Sequence, residues 1–290
     1  MTIRKSHHHA AAASLVGLLS LGLFTPSCTS PKLLCDVASG PYVARYFPKD
    51  GGADCLSLKG ELIGMKTYNP PSEDGENLDA SKTTVAVQAS SVGEMADAAA
   101  AAGTADPDKT HTLYSYGDYS NTPDADAVCS AGALSSAEIH VPKTAYTDGD
   151  GNPQVLPETR LVYAWKSLSV YTTFTSPGNA ATGEVTITRE VTSPDTGAKD
   201  TCTTTYIASA LYPPVDCEVK DADDNGTGKP NDAACCGVAD PAAGRPEASG
   251  INPDFKVKCD PDLLLCVLDW KPGEAFPPLG KNAACGASSN

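Results

Sequence analysis

The chain has 290 residues, of which 41% are apolar, 6% aromatic and 20% charged, with 25 Gly, 23 Pro and 11 Cys. That length supports one sizeable core, and the apolar fraction excludes wholesale disorder. Lysine and arginine number 21 against 36 aspartate and glutamate, a formal net charge of −15 that repels phosphate backbones and excludes a general nucleic-acid binder.

Residues 1–27 read as an export signal. Arg4 and Lys5 form a positive leading region, and the uncharged apolar run from Ala10 to Phe24 is too short to span a bilayer comfortably as a mature helix. No later apolar run reaches spanning length. Phe24-Thr25-Pro26-Ser27-Cys28 resembles the lipobox of bacterial lipoproteins, in which a small residue precedes a cysteine that is lipidated and becomes the new N-terminus. The resemblance implies lipidation at Cys28, a tether over 28–34 and attachment to a membrane through acyl chains. Several such chains anchor stably where one is marginal. The alternative is an ordinary secretory signal, a soluble secreted protein and a Cys28 that enters a disulfide.

Beyond the tether, Asn69–Asp79 is too polar and too rich in Pro and Gly to pack, and is expected to be a surface loop. Thr83–Ala89 reads as a strand. Ser91 and Glu94 have capping-box spacing ahead of Met95 and an alanine run to Ala102, which Gly103 stops, predicting a short helix. Tyr114, Tyr116 and Tyr119 are expected to be partly exposed, either lining a recognition loop or serving as loop packing. Ala137–Val141 is the next strand. Asp148-Gly-Asp150-Gly-Asn152 reads as a hairpin loop, with a metal site as the lesser reading.

The middle of the chain is β. Arg160–Phe174 is β-branched and aromatic with no Gly or Pro. Strict alternation places Leu161, Tyr163, Trp165 and Tyr171 on one face and Val162, Ala164, Leu168, Val170 and Phe174 on the other, which predicts a central strand buried on both sides. Val185, Ile187, Arg189 and Val191 alternate with polar residues. Thr201–Leu211 follows a Pro-Asp-Thr-Gly turn, completing a three-stranded antiparallel meander. Gly237–Gly250 is a surface loop, and Phe255–Lys258 and Leu263–Leu268 form a late strand pair. The chain therefore predicts a mainly β fold: an antiparallel β-sandwich-like domain over 35–215 with one short helix, and a disulfide-rich, loop-rich C-terminal extension over 216–290 packed on the same domain.

Eleven cysteines are odd; setting Cys28 aside leaves ten, namely Cys35, Cys55, Cys129, Cys202, Cys217, Cys235, Cys236, Cys259, Cys266 and Cys285. In an exported chain these are expected in five disulfides. Three fall in the first half and seven in the last third, so full pairing requires at least one bridge between the two regions. The connectivity stays open, but adjacent Cys235 and Cys236 are expected to take different partners, since a ring between neighbours is strained. No C-x-x-C spacing occurs and no His stands among them, which argues against a redox or zinc site.

Asp221, Asp223, Asn225 and Asp232 occupy positions 1, 3, 5 and 12 of an EF-hand-like loop, with Gly226 at the sharp turn. Clustered carboxylates and an amide oxygen suit calcium, a hard cation; the alternative is an acidic turn between bridged cysteines. No catalytic residue is assigned. Beyond the signal only His111 and His140 remain, no G-x-S-x-G or H-E-x-x-H occurs, His140 reads as a strand-surface residue and His111 as an equally ordinary residue of a Thr- and Tyr-rich segment. Carboxylate pairs as in glycosidases exist in any chain with 36 acids, and none is singled out.

The lipobox-like Cys28, the Ala/Gly/Pro/Asp-rich composition and the many cysteines resemble lipoproteins of myxobacterial type. The resemblance implies export and tethering, to the outer membrane because Thr29 and not Asp follows the acylated cysteine, and it implies no activity. The expected function is a non-enzymatic binding or structural role at the cell surface or in the periplasm, with a protein or glycan partner. The alternatives are a calcium-stabilised extracellular module or a carbohydrate-binding or carbohydrate-hydrolysing module.

Overall fold

The computed structural model describes residues 32–49, 54–79, 81–104, 111–147, 151–243, 245, 247–280 and 285. The expected signal, Cys28, Asp148 and Asp150 lie outside the described residues. Residues 33–290 form a single unit. Among the described residues, fifteen strands and one α-helix follow in order: β1 Gly40–Pro48, β2 Gly60–Tyr68, β3 Thr83–Ala89, α1 Ser90–Ala101, β4 Ser115–Tyr119, β5 Val128–Ala131, β6 Ala137–Val141, β7 Thr144–Thr147, β8 Pro153–Leu156, β9 Glu158–Thr172, β10 Pro177–Thr192, β11 Lys199–Leu211, β12 Glu218–Lys220, β13 Gly226–Pro230, β14 Val257–Cys259 and β15 Cys266–Leu268.

The fold is mainly antiparallel β. The meander β9–β10–β11 forms as the alternation predicts. It belongs to a nine-stranded sheet of order β10-β11-β1-β2-β3-β4-β5-β9-β6, in which β9 also pairs with β10. That extra ladder closes a ring of eight strands, so the two halves of this sandwich-like sheet face each other across one interior. Strand β9 is long enough to pair with β6 along Thr159–Tyr163 and with β5 along Leu168–Tyr171. Closure satisfies strand edges that would otherwise offer unpaired backbone groups.

Period-2 alternation fills the interior with Tyr42, Ala44 and Tyr46 from β1, Ile63 and Met65 from β2, and Val85, Val87 and Ala89 from β3. In β9 the predicted two faces are corrected. Trp165 pairs with Val185 while Ser167 pairs with Glu184, leaving Lys166 as an extra residue in a β-bulge. The bulge resets the parity, so Leu161, Tyr163 and Trp165 before it and Leu168 and Val170 after it share the inward face. Tyr171 consequently points outward, 6.1 Å edge-on to Phe255, and Phe174 is exposed.

A second apolar cluster lies where the C-terminal third meets the outer side of the sheet. It contains Leu211, Ile251, Phe255, Val257, Leu268 and Trp270, with Phe47 and Ile207 packed against it. Phe47 meets Trp270 edge-on at 6.0 Å, and Arg45 lies over the Phe47 ring. Five disulfides join described residues: Cys35–Cys129, Cys55–Cys202, Cys217–Cys259, Cys235–Cys266 and Cys236–Cys285. Cys55–Cys202 is the crossing bridge that parity required, and Cys235 and Cys236 take different partners.

Candidate functional site

Strand β2 begins with a charged residue at an inward-facing position. Glu61 shares the parity of Ile63 and Met65, and its Oε1 accepts hydrogen bonds from the Tyr163 hydroxyl at 2.6 Å and the Tyr46 hydroxyl at 2.9 Å. Its Oε2 accepts the Ser91 backbone N–H at 3.0 Å and the Ser90 hydroxyl at 3.4 Å. This corrects the predicted capping box: the residue before the helix, Ala89, offers no side-chain cap, and the Ser91 hydroxyl instead bonds Tyr163 at 2.7 Å. A carboxylate from another strand thus serves the first turn of α1, where negative charge is favourable. Burial, followed by the Glu61 charge, pushes the Tyr46 and Tyr163 phenols well up. Every oxygen of Glu61 is in use, so the group is a strut between β2, β9 and α1.

The same parity turns other residues of β2 and β4 outward. Tyr68 lies opposite Thr84, and Tyr116 lies opposite Ala86. Tyr68, Tyr114 and Tyr116 are 41%, 47% and 42% exposed. The Tyr114 and Tyr116 rings are 6.0 Å apart and tilted by 52°. Tyr68 is near enough that partial burial, then the two neighbouring phenols, raise its own pKa. Three phenols on a pleated face present ring surfaces for stacking and hydroxyls for hydrogen bonds. Of the predicted tyrosine loop, Tyr114 and Tyr116 are exposed as expected. Tyr119, three residues after Tyr116 along a strand, necessarily faces inward and is buried. Tyr68 was not foreseen, because its proximity to the other two depends on register.

The other predicted residues are placed as follows. Asp221 opens the turn between β12 and β13, and its Oδ1 accepts the N–H groups of Asp223 and Asn225, both at 2.9 Å. These backbone bonds, the one from Asn225 first, lower its pKa. Asp232 starts a 3₁₀ turn, and its Oδ1 accepts the Cys259 N–H at 2.7 Å. Asp221, Asp223 and Asp232 are not brought together as one donor group. Among the described residues the group of three acidic, His or Cys ligand atoms within 4.8 Å of one another is that of Cys217, Cys235 and Cys266. The β7–β8 hairpin flanks the second acidic turn. His140 sits 3.3 Å from Glu158, and His111 sits 3.4 Å from Glu138, which Arg160 grips at 2.6 and 3.1 Å. Both histidines therefore lie beside carboxylates of β6 and β9, Glu138 and Glu158.

A groove of about 1110 Å³ runs beside Tyr171, Lys256, Lys258, Lys271 and Phe276. Asp126, Asp269 and Glu274 line it too, and Lys258 pairs with Asp269 at 2.7 Å, so opposite charges balance.

Comparison with known proteins matches the sequence profile of the MlpA family to residues 40–213, which span β1 to β11 and contain Glu61 and all three exposed tyrosines. A Myxococcus xanthus protein named "Putative lipoprotein MlpA" is 26% identical over 254 residues, covering 84% of this chain and 87% of that protein. No solved structure matches the chain significantly.

Proposed function

The chain belongs to the MlpA family, and from that membership we propose that it is a lipid-anchored, non-enzymatic binding protein of the cell envelope whose contact surface is the face of Tyr68, Tyr114 and Tyr116. The anchor is supported by the run from Arg4 to Cys28 and by the lipoprotein name of its relative. Among the described residues no helix is long and apolar enough to cross a membrane; in this reading the attachment is through acyl chains at Cys28. Thr29 after the cysteine directs the protein to the outer membrane. A body of this charge is held off anionic headgroups, leaving its faces clear of the bilayer.

The observation that carries the binding role is the exposure of Tyr68, Tyr114 and Tyr116 on the outer side of the sheet, with the Tyr114 and Tyr116 rings 6.0 Å apart. Their occupant is a neutral polysaccharide: ring faces stack on sugar C–H surfaces, and a net charge of −15 repels polyanionic polymers. Two experiments test the reading. Palmitate labels the wild-type chain in a bacterial host and fails to label Cys28→Ala; label that survives the substitution removes the anchor. The wild-type body is retained on neutral envelope polysaccharide, and the triple variant Tyr68→Ala, Tyr114→Ala, Tyr116→Ala loses roughly tenfold or more in affinity, since each stacked base-like or sugar-like contact is worth about 1 kcal/mol. Equal retention of both proteins removes the surface.

A further inference from the structure

The most exposed apolar groups are not spread over the body. Among the described residues the four most exposed large apolar side chains are Leu78, Phe174, Leu34 and Leu279, at 68%, 67%, 60% and 50%. Antiparallel pairing brings the start of β1, the β2–β3 and β4–β5 connections and the β9–β10 turn to one end of the closed sheet. Leu78 lies in the β2–β3 connection and Phe174 in the β9–β10 turn. Leu34 precedes Cys35, whose N–H donates to the Asn121 carbonyl at 3.0 Å and whose sulfur is bonded to Cys129. The Ala38 N–H donates to the Gly178 carbonyl at 3.4 Å, so this segment crosses the same end. Leu279 lines a cleft of about 270 Å³ together with Thr173 and Thr175 of the turn. Asn252 Nδ2 donates to the Thr175 carbonyl at 3.1 Å and ties the C-terminal third to it. Single exposed apolar residues are ordinary, but four gathered at one end make an interaction surface.

What faces that end follows from chain length. The compact unit begins at Leu33, five residues after Cys28. A fully extended tether of that length reaches at most about 18 Å, no more than the radius of gyration of about 18 Å expected for a body of this size. On so short a leash the end bearing Leu34 stays nearest the anchor, and the far end cannot roll round to replace it. Resting on the lipid anchor at Cys28 proposed above, we propose that this end docks on the bilayer, with Leu34, Leu78, Phe174 and Leu279 entering the headgroup boundary of zwitterionic lipid. The drive is the apolar area withdrawn from water at that depth. Charge selects the lipid. Glu73, Asp74 and Glu76 beside Leu78, and Asp124 and Asp126 in the β4–β5 connection, are exposed at this end, while Lys256 and Lys271 share a groove with Leu279. Both signs together suit a headgroup that carries both, and the excess of carboxylates repels anionic lipid. Docking by the end leaves the side face of Tyr114 and Tyr116 in water.

The test uses the chain from Cys28 to Asn290 with its disulfides closed, coupled through the Cys28 thiol to a maleimide phospholipid in phosphatidylcholine vesicles. Chemical coupling supplies the anchor whether or not a cell acylates Cys28, so the result stands apart from the palmitate labelling. Trp165 and Trp270 are buried, and a tryptophan introduced by Phe174→Trp or by Val155→Trp serves as the depth probe, read by quenching from lipids brominated on their acyl chains. Val155 is 48% exposed in the β7–β8 hairpin, which follows the end of β6 where Val141 pairs with Thr159 near the start of β9, at the opposite end of the sheet. Phe174→Trp is expected to be quenched at least about threefold more than Val155→Trp, and adding Leu34→Asp and Leu279→Asp to Phe174→Trp removes most of that difference. Equal quenching at the two positions, or quenching that survives the two aspartates, overturns the docking. Replacing part of the phosphatidylcholine with phosphatidylglycerol is expected to weaken the quenching, and a strengthening overturns the zwitterionic assignment. Every substituted position is exposed, and circular dichroism matching the parent verifies that each variant is folded.

Discussion

Asp260 is 1% exposed, yet it carries a charge at the seam between the closed sheet and the C-terminal third. Its Oδ2 pairs with Arg45 Nε at 3.0 Å, and its Oδ1 accepts the N–H groups of Asp262 at 2.9 Å and Leu263 at 3.2 Å. Arg45 sits on the outward side of β1 with a quarter of its side chain exposed, stacked over Phe47. Breaking a buried pair by deleting one partner costs about 3–5 kcal/mol; the partial exposure of Arg45 brings that towards 2–3 kcal/mol. Its Nη1 is buried with no hydrogen-bond partner among the described residues, a further reason for the lower end. Asp260→Asn keeps an oxygen for the two backbone donors and removes only the charge, so it is expected to cost about 2 kcal/mol. Asp260→Ala loses those two bonds as well, at about 1 kcal/mol each, and should cost about 4 kcal/mol. For a domain of this size these values lower the melting midpoint by roughly 4–8 °C and 8–16 °C. The assay is urea and thermal unfolding of the disulfide-intact body, completed as a double-mutant cycle with Arg45→Met. Since the two residues share one interaction, the double variant should be less damaged than the sum of the singles by at least about 1 kcal/mol. Additive effects, or an Asp260→Asn midpoint within about 1 °C of the parent, would show that the seam is held by apolar packing alone.

Alkaline pH should unfold the protein through its tyrosines. Burial pushes the phenols of Tyr42, Tyr46, Tyr119 and Tyr163 far up, and that of Tyr206, which also donates to Asp54, up to about 12. The unfolded chain gives up these protons near pH 10 and the folded chain holds them, so their contribution is intact below pH 10 and is lost as pH climbs towards 12 and beyond. Tyrosinate absorbance and circular dichroism, recorded together, should show these five phenols ionising only as the β signal collapses; titration of all eleven tyrosines with the β signal intact would refute it. Gly183→Ala should destabilise the β9–β10 ladder by about 1–3 kcal/mol, because a Cβ there runs into the Ser167 carbonyl and approaches the Trp165 ring at 3.1 Å. Chemical denaturation measures it, and an unchanged midpoint would mean that the bulge yields without strain.

Much of the secondary structure was legible because alternation and turn chemistry are local. Thr83–Ala89 and Ala137–Val141 coincide with β3 and β6, and the long meander lies where the β-branched runs place it. Strands β1 and β2 escaped notice: Gly60, Gly64 and the charges of Glu61 and Lys66 disguise β2, and prolines bound β1 at Pro41 and Pro48. Glu61 is the instructive residue. In isolation it reads as a surface charge, and its half-buried, inward-facing place is tolerated because two phenols and a helix N-terminus converge on it. The bulge at Lys166 is likewise invisible locally, since the extra residue is defined against β10 and not by its own chemistry.

The linear order of residues determined the class of the molecule: a β body, and ten cysteines beyond Cys28 whose split into three and seven demanded a crossing bridge. Those properties follow from periodicity and counting, which need no knowledge of distant neighbours. The tertiary structure decided which strands close the sheet, which cysteines pair, which tyrosines stay exposed on its outer face, and that Asp232 serves Cys259 and does not join Asp221. Each of these depends on residues brought together across tens to more than a hundred positions, where side-chain period is shared by many registers and only the packed interior selects one.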